Sequence, residues 1–312
     1  MHYSNVKFGI FTDLHLDIMH DGRIRLDTFI EQMKKEDVDF IIQLGDFCYP
    51  EDTSKCICSE KNMPINLKNA MRVPADVPKI ELLEKFNKFS KPHYHVLGNH
   101  EFDFGLDEAK KYKEILNFPL LSSNTYINGA RLFEASTIVD KDKNVVGDEF
   151  VVIGVTTPET ATKTHPKNVQ GVTFTDPISE VNKVIDEIEA RATAEGKTYK
   201  NYVVLAHLGV DTTTPIEWRG STLAEELSKN SKLKGKRVTV IDGHSHTVQS
   251  TTYGDNVTYN QTGSYLNNIG KITYQANQLL GNPQQISAAS TKNVVPNAKV
   301  AAMVQKIKEQ YD

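Results

Sequence analysis

The chain has 312 residues, 39% hydrophobic, 24% charged and 8% aromatic, values that exclude a collagen-like, low-complexity or wholly disordered protein. Its 36 basic and 40 acidic residues give a net charge of −4 without a long Lys/Arg block, which argues against non-specific nucleic-acid binding and a polybasic membrane anchor. Single cores stop growing at roughly 250–300 residues, so this length admits one large domain or two modest ones.

No apolar run reaches the ~18 residues of a spanning helix, and strand-like sequence begins by Val6 without a signal-peptide pattern. The chain as given therefore reads as soluble and without an export signal, its location open between a trimmed exported form and a cytoplasmic one.

In chain order, residues 7–11 form a short apolar run of buried-strand type, followed by a helical pattern over 26–33 and a second strand over 40–44. Residues 47–78 have no periodicity and form an unusually long loop, which marks a functional or mobile segment. Cys48, Cys56 and Cys58 fall in it. Their odd count argues against a disulfide framework, and the Cys-x-Cys pair lacks the further ligands of a soft-metal site, so free thiols are expected. A helical pattern over 79–89, a strand over 93–97 and a helix over 106–116 come next, then a strand over 151–155.

The clearest helix begins at Asp176-Pro177, an N-cap with proline at the first helical position, places Ile178, Val181, Ile185 and Ile188 on one face, and ends near Gly196. Strands over 202–206 and 238–241 follow, and strands alternating with helices predict a largely parallel sheet covered on both faces. After His246 the pattern becomes period-two: residues 248–253 and 257–262, joined by Gly254-Asp255-Asn256, read as an antiparallel hairpin, with a further strand over 269–274. Residues 275–296 read as a linker or edge-hugging loop. Val300, Val304, Ile307 and Tyr311 resume helical spacing up to the carboxyl terminus. There is no internal repeat.

The residues just past the strands carry the chemistry. Five strands run directly into Asp13-Leu14-His15, Gly45-Asp46, Gly98-Asn99-His100-Glu101, His207 and Gly243-His244-Ser245-His246. Ligands of open α/β sheets bind outside the carboxyl ends of strands, so these residues share one expected site. Two carboxylates, an amide and four imidazoles suit Mn, Fe, Zn or Co better than a thiolate metal or Ca. Asp13, His15, Asp46, Asn99, His207, His244 and His246 exceed the needs of one ion and fit two, with a carboxylate bridging. Alone, each piece has a plain structural explanation: Asp-x-His is an N-cap or turn, Gly-Asp a turn, His207 a core histidine. The ordered set of five is not explained that way.

This order of motifs, over roughly residues 6 to 274, resembles the calcineurin-like metallophosphoesterase superfamily. The resemblance implies a four-layer α/β/β/α sandwich of mixed sheets with helices on both outer faces. It implies that Asp13, His15 and His246 bind one divalent ion, that Asn99, His207 and His244 bind the other, and that Asp46 bridges them. Mn is the expected metal, with Zn, Fe, Co or Ni as alternatives, and a hydroxide shared between the ions is the nucleophile. His100 would face the substrate, and Asp103 would partner it; their spacing of three residues brings them together on a helical turn.

From Gly98 onward, Gly98-Asn99-His100-Glu101-Phe102-Asp103 and Phe118-Pro119-Leu120-Leu121-Ser122-Ser123-Asn124 look like the 5′-nucleotidase branch, as does Ala206-His207-Leu208-Gly209. The residues before that, with Leu16 after Asp13-Leu14-His15, look more like single-domain phosphohydrolases, which suggests a mosaic joined near Gly98. Nucleotidases of this type continue into a nucleoside-binding domain, whereas this chain ends at Asp312 inside what resembles the connecting helix.

The expectation is therefore a catalytic domain over 1–275, followed by a linker and helix over 276–312. The expected activity is hydrolysis of small phosphate monoesters, extending to diesters, with broad specificity and no nucleic-acid polymer or membrane as partner. A nucleotide-selective 5′-nucleotidase or cyclic-nucleotide phosphodiesterase is the alternative. A protein phosphatase fits less well, because no Asp-Arg-Gly follows Asp46 and Leu97 rather than Arg precedes Gly98. An inert metal-bound scaffold is the non-enzymatic alternative, and such relatives usually lack ligands or the substrate-facing His.

Overall fold

The computed structural model describes residues 5–13, 26–44, 46, 93–103, 105–115, 119–264, 266–299 and 301–302. His15, the 47–78 loop with its three cysteines, the expected helix over 79–89 and residues 303–312 lie outside the described residues.

Among the described residues, two six-stranded mixed sheets form the frame. In the first, β1 (Val6–Phe11), β2 (Phe40–Gln43), β3 (His93–Val96) and β4 (Leu120–Leu121) run parallel, and β14 (Asn268–Tyr274) adds to β1 antiparallel. In the second, β8 (Phe150–Thr156), β10 (Asn201–His207), β11 (Arg237–Asp242) and β13 (Val257–Thr262) run parallel, flanked by antiparallel β7 (Ser136–Val139) and β12 (Val248–Tyr253). A small third sheet joins β6 (Ala130–Arg131), β5 (Thr125–Ile127) and β9 (Val172–Phe174).

Strand periodicity explains why the large sheets stack. Along β8, Phe150 and Val152 join Phe8, Phe40, Ile42, Ile272 and Tyr274 in the core between the sheets, while Val151, Ile153 and Val155 point to the outer helices. The strand is buried on both faces, hence its unbroken apolar run. Phe8 meets Phe150 edge-on at 5.7 Å and Tyr274 at 6.4 Å, contacts worth ~0.5–1.5 kcal/mol each beyond burial. At Gly154 the first sheet comes so close that a Cβ would lie 2.5 Å from Leu121 Cβ.

Helices α1 (Leu26–Lys35), α2 (Leu106–Ile115), α3 (Pro177–Ala194) and α4 (Gly220–Ser228) cover the frame. On α3, Asp176 Oδ1 accepts the Ser179 N–H at 2.8 Å as the N-cap, and Val181, Val184, Ile185 and Ile188 bury against the second sheet. Helix α4 packs beside it through Leu223, Ala224 and Leu227. On the opposite side, Phe29 of α1 meets Phe11 of β1 at 5.0 Å. The layers are thus helix, sheet, sheet, helix.

Two sequence expectations change. The strand–helix alternation alone predicts a largely parallel sheet, whereas the parallel strands are divided between two stacked mixed sheets with antiparallel edges, the four-layer arrangement that the resemblance implies; alternation fixes local direction and leaves open which sheet a strand joins. The expected loop over 275–296 contains β15 (Asn282–Ser287), an edge strand antiparallel to β14. Its polar residues hid it, because an edge strand is paired on one side only and needs little apolar patterning.

Candidate metal centre

Because β1, β2 and β3 are parallel, as are β10 and β11, their carboxyl ends emerge on one edge of each sheet, and the two edges meet. Of the expected site residues, the structure brings Asp13, Asp46, Asn99, His100, Asp103, His207, His244 and His246 together there; His15 lies outside the described residues. Asp13, Asp46, His244 and His246 all have left-handed φ, between 46° and 78°. Such conformations are costly for residues other than glycine, and their concentration at one locus is characteristic of a constrained functional site.

His207 is the hub. Its Nδ1 bonds the Leu44 carbonyl across the two sheets, while Nε2 lies 2.9 Å from Asp46 Oδ2 and 3.1 Å from Asn99 Oδ1. The His244 ring lies 5.0 Å from that of His207, and donor atoms of Asp46, His207 and His244 all lie within 4.8 Å of one another. Asp13 Oδ2 accepts the His244 N–H at 3.0 Å and the Thr12 hydroxyl at 2.5 Å, and Asp13 Oδ1 lies 3.4 Å from His246 Nε2.

The donor set fits a divalent cation. Burial opposes charge on His207, yet the charges of Asp46 and Asp13 push its pKa up to about 10. Two buried carboxylates thus demand positive charge at a point bounded by imidazole nitrogen and amide oxygen, the mixture borderline metals prefer.

His100 begins a 3-10 turn (His100–Phe102), and its N–H donates to Asp46 Oδ1 at 2.9 Å. Its Nδ1 lies 2.7 Å from Asp103 Oδ2, which directs Nε2 away from that carboxylate. Asp103 is itself braced: Oδ1 accepts from the Thr164 hydroxyl at 2.9 Å, and its carbonyl from Asn168 Nδ2 at 2.8 Å. Burial would lower the His100 pKa, but the charge of Asp46 and the Asp103 hydrogen bond outweigh it and raise the pKa. Glu101 joins two of the loops, since its Oε2 accepts the N–H of Gly98 at 2.5 Å and of Asp46 at 3.1 Å.

Sequence reasoning missed several contributors. Glu159, three residues past β8, places Oε2 at 3.1 Å from His244 Nε2 and accepts the Thr214 hydroxyl at 2.8 Å. The His244 bond holds its carboxyl below the usual range against the opposing effect of burial. Asp242, fully buried at the end of β11, accepts N–H groups of Leu208, Gly209 and Gly243 and the Tyr259 hydroxyl, tying the loops that carry His207 and His244. Burial raises its pKa despite these donors. Both are carboxylates at or just past strand ends, the same signal that marked Asp13 and Asp46; the ligand set was already complete without them. The Ser122-Ser123-Asn124 stretch is structural support. Asn124 Nδ2 donates to the Thr156 carbonyl and its Oδ1 accepts the Thr156 N–H, and the Thr156 hydroxyl reaches the Leu97 carbonyl that precedes Gly98.

Comparison with known proteins supplies the wider context. A family model described as calcineurin-like phosphoesterase matches residues 6–248. Over 110 residues the chain is 44% identical to a 5′-nucleotidase of Vibrio cholerae, a stretch covering 34% of this chain and 19% of that protein. The match to a Vibrio vulnificus 5′-nucleotidase, 42% identical, likewise covers 19% of that relative, so the chain spans about a fifth of the curated relatives' length. Among solved structures, the calcineurin-like phosphoesterase YfkN of Bacillus subtilis superposes with a TM-score of 0.74 at 18% identity, covering 99% of this chain and 98% of that one. At this identity the likeness shows the fold. Among the described residues no helix is long and apolar enough to cross a membrane.

Proposed function

Since the chain belongs to the calcineurin-like phosphoesterase family and is a metal-dependent phosphoric ester hydrolase, we propose that it uses two divalent ions to cleave phosphomonoesters of the nucleoside 5′-phosphate type. The observation carrying this reading is the convergence of Asp46, His207 and His244 donor atoms beside Asp13, Asn99 and His246. In this reading Asp13, His15 and His246 hold one ion, Asn99, His207 and His244 the other, and Asp46 both. Manganese suits the oxygen–nitrogen mixture, with Zn, Fe, Co or Ni as alternatives. Bound there, the ions would neutralise phosphoryl oxygens and lower the pKa of water.

The chain's own residues do the rest. His100 presents Nε2 to the substrate and gives its proton to the departing oxygen, and Asp103 on Nδ1 orients the ring and favours its charged form. General acid catalysis of this kind supplies ~10²–10⁴. Phosphate monoesters need far larger accelerations, up to ~10²¹, so most of the barrier reduction falls to charge neutralisation at the cation sites. We assign the catalytic unit to residues 1–275, and of the segment that follows it β15 pairs antiparallel with β14.

The Vibrio relatives, named 5′-nucleotidases, favour a nucleotide over an unselective phosphate ester. Chelated protein reloaded with Mn should release phosphate from AMP. Cleavage of aryl phosphate but not AMP would restore the broad-specificity reading, turnover of a diaryl phosphate would extend it to diesters, and no turnover of any of them would reject the activity.

A further inference from the structure

His207 and His244 are held in opposite ways. The backbone carbonyl of Leu44 takes Nδ1 of His207, and Nε2 faces Asp46 and Asn99. For His244 it is Nε2 that is taken, 3.1 Å from Glu159 Oε2. A carboxylate can only accept, so it places the proton on Nε2 and leaves Nδ1 as the atom with a lone pair. We infer that Glu159 is a positioning residue for the metal centre, selecting the His244 tautomer whose Nδ1 ligates.

Three features make this more than a chance contact. Both side chains are nearly closed to solvent, 8% exposed for His244 and 11% for Glu159, so the pair is little screened. The carboxylate is aimed by the Thr214 hydroxyl at 2.8 Å, which arrives from the loop after β10, the strand that ends in His207. Its backbone is fixed as well: the Glu159 N–H donates to the Thr157 hydroxyl at 3.1 Å, and its carbonyl accepts the N–H of Lys163 at 2.7 Å and of Thr162 at 2.9 Å. Glu159 therefore links the ends of three neighbouring strands, β8, β10 and β11, at the His244 ring.

The inference rests on the metal-centre reading, and calorimetric titration of the chelated protein with Mn separates the two. The parent should bind two ions. Glu159→Ala should weaken one of them about 10–100-fold and leave the other, the usual effect of removing a ligand's outer partner. Glu159→Gln, which keeps an acceptor, should lose less. Long-range ¹H–¹⁵N spectra of the chelated proteins provide a metal-independent readout, with the Nε2–H form of His244 in the parent and a tautomer mixture in the Ala variant. Should the Ala variant fail to fold, the Gln variant decides: a few-fold weaker ion supports the assignment, and parental affinity for both ions overturns it. Unchanged affinities in a folded Ala variant overturn it while leaving the metal centre standing. A parent that binds fewer than two ions removes both.

Discussion

His207 Nε2 lies 2.9 Å from Asp46 Oδ2, with the two side chains 0% and 2% exposed, while its other nitrogen is committed to the Leu44 carbonyl. Without a cation both nitrogens need hydrogens, and the neighbouring carboxylates hold the ring charged up to about pH 10, against the opposing effect of burial. A cation at Nε2 must expel that proton.

Metal binding at pH 8 should therefore release about one proton from His207. Calorimetric titration in two buffers of different ionisation enthalpy measures it. Identical apparent enthalpies would contradict the charged ring. The sign is set by the raised pKa: the metal-free protein carries the proton at pH 8, and the loaded protein does not.

Asp46 is the acceptor shared by the two halves of the site, bonding the His100 N–H through Oδ1 and facing His207 through Oδ2. Asp46→Asn keeps the shape but lowers the charge, and elemental analysis should find less of both ions. Loss of one ion alone would show that Asp46 does not bridge.

His100→Ala should lower kcat by ~10²–10⁴ with metal content unchanged, as for loss of a general acid. Asp103→Asn should have a smaller effect with a distinctive pH dependence. An acid must be protonated, so activity falls above its pKa; Asp103 helps raise that pKa, and its removal should move the alkaline limb of the rate profile to lower pH. A parental limb in the variant would leave Asp103 with no part in tuning His100.

Gly98 stands where the loops after β2 and β3 touch. A Cβ there would lie 2.4 Å from the Asp46 backbone nitrogen, 2.5 Å from Asp46 Oδ1 and 2.7 Å from Glu101 Oε2. Backbone cannot yield cheaply, so Gly98→Ala should cost ~1–3 kcal/mol in the chelated protein and reduce metal content as well. Thermal denaturation before and after metal loading tests both, and a parental Tm with full metal content would show that the loops can separate freely.

Much of this site is legible in the sequence because its chemistry sits at strand ends. The apolar runs ending at Phe11, Leu44, Leu97, Ala206 and Ile241 mark buried strands, and the Asp, Asn and His residues after them, each ordinary alone, form an ordered set of five that turns and caps do not explain. The capped helix at Asp176 and the hairpin around Gly254-Asp255-Asn256 are equally local, and the structure places them over the segments expected from periodicity. Spacing also pairs His100 with Asp103, since one turn of backbone joins them.

What the sequence determined by itself is which residues reach the strand ends, because alternation of side chains along a strand and capping of a helix are short-range properties. Tertiary structure alone decided how the strands divide between two sheets and which distant groups support the site. Thr164 and Asn168 reach Asp103 across more than sixty positions, and Glu159 reaches His244 across 85. No local pattern encodes such pairs; each exists because parallel strands bring their carboxyl ends to one edge, where a buried polar group must find a partner from another loop or remain unsatisfied.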